Sequence, residues 1–375
     1  MSVVLLLAGA EPSGVVVGAS PLAELTAALH AYTEAEHHPG TVRWARGLDA
    51  DSPGNGTVPE SSAPAALDPD LRRRIMAWAP LWASYRARYL LPLHAEASRS
   101  LDAELADLAD LPLPRFAELT GYAVRGGNSG TPLDRVLHDA TQRDGLLAAA
   151  ELRSTARAEL AHRLLEAPQT LRTDLLELLA QAARALDSDL TRAARTIAAQ
   201  LSRLRAAIEH ESLGEALAGL DPSASYRRGP PRVVFEKFHH GIVNVATTRL
   251  LVVPSVFGRP HLLVKHEPGL AAVIQYALLP EGSAQPGYAA VHRRLEALRD
   301  PGRQRIARAI AREPLTPSEL AARSGMTLPQ VSRHLARLRE AGLVTVDRDG
   351  RRAFYQLDLE PVRHIGEDLL AALFR

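Results

Sequence analysis

Apolar positions cluster first in residues 3–8 and 15–18, two short runs that read as strands. Ser20-Pro21 then opens a helix, with a capping hydroxyl, proline at the first helical position and Glu24 in the first turn. Leu22, Leu25, Ala28 and Leu29 give that helix its stripe. From Leu71 to about Leu217 apolar residues recur at three- and four-residue steps, the helical period. One face carries Ile75, Trp78, Trp82, Tyr85 and Tyr89, and another Leu171, Leu175, Leu178 and Leu179. A third carries Ile197, Leu201, Leu204 and Ile208, and the glycine-rich stretch 126–130 breaks the series with a loop. Arg228-Gly-Pro-Pro231 changes the texture: residues 233–238, 250–256, 261–265 and 272–278 read as strands separated by Pro and Gly. Residues 285–287 form another turn, and 288–298 begin a helix. Residues 49–69, rich in Gly, Pro, Ser and Asn, read as a mobile loop.

The segment after residue 300 has the most regular punctuation. Ile306, Ala309 and Ile310 define an amphipathic helix that ends before Pro314. Thr316-Pro-Ser-Glu319 is a capping box opening a helix with Leu320 and Ala321 inward, and Gly325 stops it. Thr327-Leu-Pro-Gln330 is a second box, opening a helix with Val331, Leu335 and Leu338 inward. Two capped helices joined by a tight glycine turn predict a helix-turn-helix. Outward lie Gln330, Ser332, Arg333 and Arg337, the types that pair with base edges in a major groove, with Thr327 at the helix start. His334 lies at the edge of the stripe, where it serves either a base or phosphate contact or local packing. After Gly342 the period changes to two. Residues 343–346 pair with 353–357 across Asp349-Gly350, and Arg348, Arg351 and Arg352 cluster at the tip of that hairpin.

Leu320-Ala-Ala-Arg-Ser-Gly325, Val331-Ser-Arg-His-Leu335 and Leu338-Arg-Glu-Ala-Gly-Leu-Val344 closely resemble the winged helix-turn-helix of ArsR-type bacterial repressors. More loosely, Ser20-Pro-Leu-Ala-Glu24 and Leu251-Val-Val-Pro-Ser-Val-Phe257 resemble parts of long actinobacterial regulators that place an uncharacterised domain before such a reader. The resemblance implies a homodimer that represses transcription and is released by a signal. ArsR-type metal sensors often carry a Cys-x-Cys pair on the helix before the recognition helix; residues 319–325 offer no sulfur ligand. Asp358, His364, Glu367 and Asp368 do not reproduce the alternative Asp/His spacing on the last helix.

Composition sharpens this reading. The 375-residue chain has no cysteine, which excludes disulfides, thiolate metal sites and cysteine nucleophiles. Of its 44 basic residues 42 are arginine, Lys237 and Lys265 being the lysines. The net charge of +1 hides an asymmetry: residues 301–355 carry 11 Arg against five acids, and the remainder is net acidic. A basic segment on an acidic body predicts a polyanion partner, here double-stranded DNA. No segment reaches the roughly 18 apolar residues of a membrane span. The apolar start lacks a basic flank and is followed by Glu11 and Pro12, so it reads as a strand of a cytoplasmic protein with no membrane partner.

The expected fold class is α+β. A mainly helical body with short strands occupies residues 1–300 and serves sensing or dimerisation. A winged helix-turn-helix with a C-terminal helix occupies 301–375. That last helix has a Val362, Ile365, Leu369, Ala372 and Leu373 stripe suited to a dimer partner. The alternatives are an enzyme, or a protein-interaction scaffold, with an appended winged helix. No Walker loop, G-x-G-x-x-G, nucleophile elbow or H-E-x-x-H motif is present, so no enzyme is expected. Three histidine groups (Glu36-His37-His38, Glu236–His240, and His261 with His266-Glu267) could converge. Surface or hydrogen-bonded histidine is the favoured reading, and neither a metal nor another cofactor is expected. Trp78, Trp82 and Tyr85 are weak candidates for lining a small-molecule effector pocket, core packing being the commoner use of such a stripe.

Overall fold

The computed structural model describes all residues except 1, 39–40, 46–66, 84, 129, 211, 238–239, 280–285, 350–351 and 375. The loop read at 49–69 therefore lies mostly outside the described residues. The chain divides into two compact units, Met1–Ser283 and Ala284–Arg375, each with its own apolar core.

In the first unit, strands β1 (Ser2–Leu6) and β2 (Val15–Val17) precede helix α1 (Pro21–Thr33) and the short α2 (Val42–Ala45). Then follow α3 (Pro69–Trp78), α4 (Leu101–Asp110), α5 (Leu113–Arg125), α6 (Ala140–Glu151) and α7 (Thr155–Glu166). The helical run closes with α8 (Pro168–Ala185), α9 (Asp187–His210) and α10 (Leu213–Ala218). Six strands complete the unit: β3 (Ala224–Arg227), β4 (Arg232–Glu236), β5 (Gly241–Asn244), β6 (Leu250–Ser255), β7 (Leu263–Lys265) and β8 (Ala272–Ala277). One sheet has the order β3-β4-β1-β5, with β1 antiparallel to β4 and parallel to β5 (Val3 opposite Phe235, Val4 opposite Ile242). The other has the order β2-β6-β8-β7, parallel except for β7. Every residue of β6 is buried, as the continuous run Leu250–Ser255 requires of a strand inside a parallel sheet.

Ten consecutive residues of α1, Leu22–Ala31, are buried. Its apolar stripe is thus only part of its inward surface, and Glu24, Thr26 and His30 are enclosed as well. Glu24 does not merely sit in the first turn. Its carboxylate accepts from the hydroxyl of Ser255 and from the N–H groups of Val256 (2.9 Å) and Phe257 (3.0 Å), pinning the segment after β6. The acid at the start of α1 is instead Glu104, which accepts from Ser20 Oγ (2.7 Å) and Leu22 N–H (2.8 Å). Strands β3 and β5 were not evident in the sequence. Both are four residues long, and neither shows a clean alternation of buried and exposed positions.

The aromatic series 75–89 is not one helix. Helix α3 ends at Trp78, a 3-10 turn at Ala79–Leu81 follows, and a second spans Arg88–Leu90. Pro80, lacking an N–H, cannot continue the helix. Trp78, Trp82 and Tyr89 are nevertheless buried together in the main core, as regularly spaced aromatics usually are.

The second unit contains α11 (Tyr288–Arg299), α12 (Pro301–Ile310), α13 (Pro317–Ser324) and α14 (Leu328–Glu340). A hairpin of β9 (Val344–Asp349) and β10 (Arg352–Leu357) precedes α15 (Leu359–Arg363) and α16 (Ile365–Phe374). Val344 faces Leu357 and Val346 faces Tyr355. Leu315 adds a third, one-residue strand, exchanging backbone bonds with Tyr355 at 2.9 and 3.0 Å. Ile306, Ile310, Leu320, Val331, Leu335, Leu338 and Leu343 form its core, the residues whose spacing predicted three helices and a strand. Among the described residues no helix is long and apolar enough to cross a membrane.

Candidate nucleic-acid interface

The helix-turn-helix is built by two reciprocal caps and one left-handed residue. Thr316 N–H donates to Glu319 Oε2 at 2.8 Å while Glu319 N–H donates to Thr316 Oγ, so α13 starts with its first donors satisfied. Gly325 ends it at φ +67°, a conformation in which a Cβ would be strained, and the chain turns at once into α14. Val331, Leu335 and Leu338 are all buried. At about 100° per residue, Arg333 then points almost directly away from the core, with Ser332 and Arg337 on either flank. Arg333, Ser332 and Arg337 are all exposed.

Not every residue named from the sequence stands equally ready to meet a base. Gln330 is exposed, but its Oε1 accepts from Thr327 N–H (2.8 Å) and Thr327 Oγ (3.1 Å), completing the second capping box. Bidentate pairing with adenine needs that oxygen as an acceptor, so in this conformation only the amide N–H groups of Gln330 can reach outward. Arg337 Nη1 pairs with Glu340 at 3.0 Å, an exposed contact of the kind that contributes little and is readily exchanged for a phosphate. His334 is half-buried over Gly302, with Nδ1 3.8 Å from Asp300 Oδ1. Asp300 is itself the N-cap of α12, accepting from Arg303 N–H at 2.8 Å. These are contacts of the packing role, one of the two open to His334, whose side chain keeps 24% exposure.

In the wing, Arg348 and Arg352 are exposed on neighbouring strands. Arg351 and Gly350 lie outside the described residues. The Glu319 carboxyl is held below its usual range, first by the Thr316 N–H bond, with Arg323 and Arg352 adding smaller attractions. Arg352 therefore lies close to the start of α13.

The remaining candidates lie in the first unit. Trp78 and Trp82 are core residues, and Tyr85 is partly enclosed beneath Lys265, whose Nζ stands 3.0 Å from its ring centre. Burial brings that ammonium down to about 7, and Tyr85 donates to the buried Glu267 at 3.1 Å. Of the histidine groups, His37, His38 and His261 come together. They are joined by His30, which the sequence reading missed because it stands alone on a helix 231 residues from His261. His239 is outside the described residues, and His240 and His266 are exposed.

The second unit is a winged helix-turn-helix by its own geometry, and comparison with known proteins agrees. A helix-turn-helix domain model matches residues 298–347. Over 68 residues the chain is 41% identical to the HTH-type transcriptional regulator KmtR of Mycobacterium tuberculosis, covering 18% of this chain and 52% of that protein. Over 72 residues it is 43% identical to the HTH-type transcriptional regulator CmtR of Mycobacterium bovis, covering 19% and 61%. The chain thus spans between half and two thirds of the curated relatives it matches, and the resemblance to the ArsR-type winged helix-turn-helix stands for this segment. Among solved structures, the homodimeric winged helix-turn-helix DNA-binding domain of a possible ArsR-family regulator from Mycobacterium bovis is 28% identical. It covers 21% of this chain and 73% of that one, with a TM-score of 0.20. Reduced HlyU from Vibrio cholerae is 29% identical, covering 23% and 88%, also at 0.20. The larger part of the molecule sets its family. A model matches residues 1–281, and the chain belongs to that family of unknown function, DUF5937.

Proposed function

We propose that the protein is a sequence-specific, double-stranded-DNA-binding transcriptional regulator, a homodimeric repressor whose first unit receives a signal. The observation that carries this reading is Arg333, exposed and opposite the buried stripe of a doubly capped helix, flanked by Ser332 and Arg337 and by the Arg348–Arg352 wing. In this mechanism α14 enters the major groove, where Arg333 reads a guanine. Thr327, Gln330, Ser332 and Arg337 contact neighbouring bases or phosphates, and Arg348, Arg351 and Arg352 hold the flanking backbone.

Self-association is supported by α11 and α16. They are joined by an Arg294–Asp368 pair at 2.7 Å, yet leave Leu295, Leu370, Leu373 and Phe374 each 37–45% exposed. A symmetric partner covering that apolar face would set two readers on half-sites roughly 34–36 Å apart. A signal that changes the dimer then changes the fit to both half-sites.

The test is binding of the purified protein to DNA from upstream of its own gene and to scrambled DNA, over a salt series. Tight binding to the upstream fragment that weakens as salt rises supports the reading. Arg333→Ala should then lose about 1–3 kcal/mol, roughly 5–150-fold, and relax discrimination at one base pair. Absence of binding even at low salt would overturn it in favour of a protein-interaction scaffold.

A further inference from the structure

The first unit gathers four imidazoles in one place. His30 lies in the last full turn of α1, and after that helix ends at Thr33 a 3-10 turn at Ala35–His37 brings the chain back. His37 and His38 thereby face His30, and His261, beyond β6, closes the group. His30 Nε2 stands 3.1 Å from His261 Nε2 and 3.4 Å from His37 Nε2, and the four potential ligand nitrogens lie within 4.8 Å of one another. A tetrahedral ion with metal–nitrogen bonds of about 2.0–2.1 Å needs its ligand nitrogens about 3.3–3.4 Å apart. These two pairs lie close to that spacing, and no pair exceeds 4.8 Å.

The surroundings select which nitrogen each ring offers. His38 Nδ1 donates to the carbonyl oxygen of Arg259 at 2.6 Å, so its lone pair is on Nε2. That atom is buried and has no hydrogen-bond partner. Glu34 sits behind two of the other rings, its oxygens 3.6 Å from His37 Nδ1 and 4.0 Å from His30 Nδ1. The backbone carbonyl orients the His38 ring as outer partners of ligating histidines do, while Glu34 lies beyond hydrogen-bond reach of the other two and leaves His30 Nδ1 unpartnered. A network of imidazole hydrogen bonds alone accounts for the cluster less well. Each neutral ring has one donor, His38 has spent its own on Arg259, and no donor reaches its Nε2.

We propose that His30, His37, His38 and His261 form a tetrahedral binding site for one borderline divalent transition-metal ion, of the zinc, cobalt or nickel kind. Four nitrogen ligands without a carboxylate or thiolate disfavour magnesium and calcium, which prefer oxygen, and give no preference for thiophilic ions. Burial, reinforced by the neighbouring rings, holds His30 well below its ordinary range and His38 down to about 3, and burial alone lowers His37. The nearby Arg86, whose Nη1 donates to Gln275 Oε1 at 2.6 Å, opposes a cation here. The ion would tie the end of α1 to the segment after β6, which Glu24 already anchors near the helix start.

The experiment uses the full-length, tag-free protein stripped of metal and titrated with cobalt(II) alone, then with zinc. Expected are the intense visible d–d bands of tetrahedral cobalt, saturating at one ion per chain and bleached by zinc. His261→Gln and, separately, His37→Gln should each weaken cobalt binding by at least 100-fold, beyond the roughly 10–100-fold typical of outer-sphere changes. His37 lies at the rim of the cluster, so it gives the reading if His261→Gln fails to fold by circular dichroism. Wild-type protein without the tetrahedral bands, or with binding that survives both substitutions, would overturn the proposal and leave a purely hydrogen-bonded cluster. Neither outcome depends on whether the protein binds DNA.

Discussion

The two units put their polar chemistry in opposite places. In residues 284–375 the arginines of α14 stand outside a helix whose inner face is a plain apolar stripe, and the caps of α12, α13 and α14 each join residues three positions apart. In residues 1–283 the central helix α1 is buried along ten residues. Its polar groups face inward to partners far along the chain: Ser255 for Glu24, Glu104 for Ser20, His261 for His30. The contrast separates two ways of building function. A surface that reads a polymer needs a repeating outward pattern on a locally stable scaffold. An enclosed polar site needs a large body that brings distant residues together and offsets their desolvation.

The largest consequence of that difference should appear at Glu24. Glu24→Ala removes the acceptor for two buried N–H groups and a buried hydroxyl. Each orphaned donor costs about 1–3 kcal/mol, so with three of them a loss of at least about 3 kcal/mol in the first unit is expected. Urea unfolding followed by tryptophan fluorescence reads this unit alone, since Trp44, Trp78 and Trp82 all lie in it. A midpoint unchanged from wild type would break the comparison, because the inward polar groups would then not hold the body together.

The long-range carboxyl Glu104 also leaves a pH signature opposite in sign to that of the local cap Glu319, which is held below its usual range. Burial raises the Glu104 carboxyl to about 7, against the opposing effect of its bonds to Ser20 and Leu22. With an unfolded value near 4.5, the unfolded chain releases this proton first as pH rises. The contribution of Glu104 is therefore fully present below about pH 4.5 and is lost by about pH 7, at up to about 1.4 kcal/mol per pH unit. Glu104→Gln cannot ionise, so its stability relative to wild type should climb over that window, and chemical denaturation at half-unit intervals would show it. Parallel curves for the two proteins would mean that Glu104 stays ionised in the fold.

What could be read beforehand follows the same division. The caps at Thr316 and Thr327, the turn at Gly325, the inward Val331, Leu335 and Leu338 and the hairpin are all relations within a few residues, which periodicity and capping chemistry express directly. The helical run 71–217 and the strands around β4, β6 and β8 were legible for that reason too. The series Ile75–Tyr89 misled, because Pro80 breaks a pattern that spacing alone makes continuous. The histidine cluster was half visible. His37, His38 and His261 were named as residues that could converge, but nothing local brings His30 to them; the favoured reading of surface or hydrogen-bonded histidine describes the contacts of these rings without the convergence of all four. Gln330 shows a further limit: one side chain fitted two roles, and only coordinates show its oxygen already given to Thr327.

The smallest effect is expected where structure is most local. Thr316→Ala leaves the N–H of Glu319 without its side-chain acceptor, though Glu319 can still reach back to the backbone of residue 316. Loss of an N-cap hydroxyl costs about 0.5–2 kcal/mol, and Thr316→Ser, which keeps the oxygen, should restore most of it. Amide hydrogen exchange localises the change: faster exchange is expected in α13, with the amides of α1 and β6 unaffected. Affinity for DNA should fall only as far as the helix pair frays, because the arginines of α14 and the wing are untouched. If exchange in α1 quickened as well, the reader would not be the self-contained unit that its separate core implies, and its sequence-local design would carry no special lesson about the body.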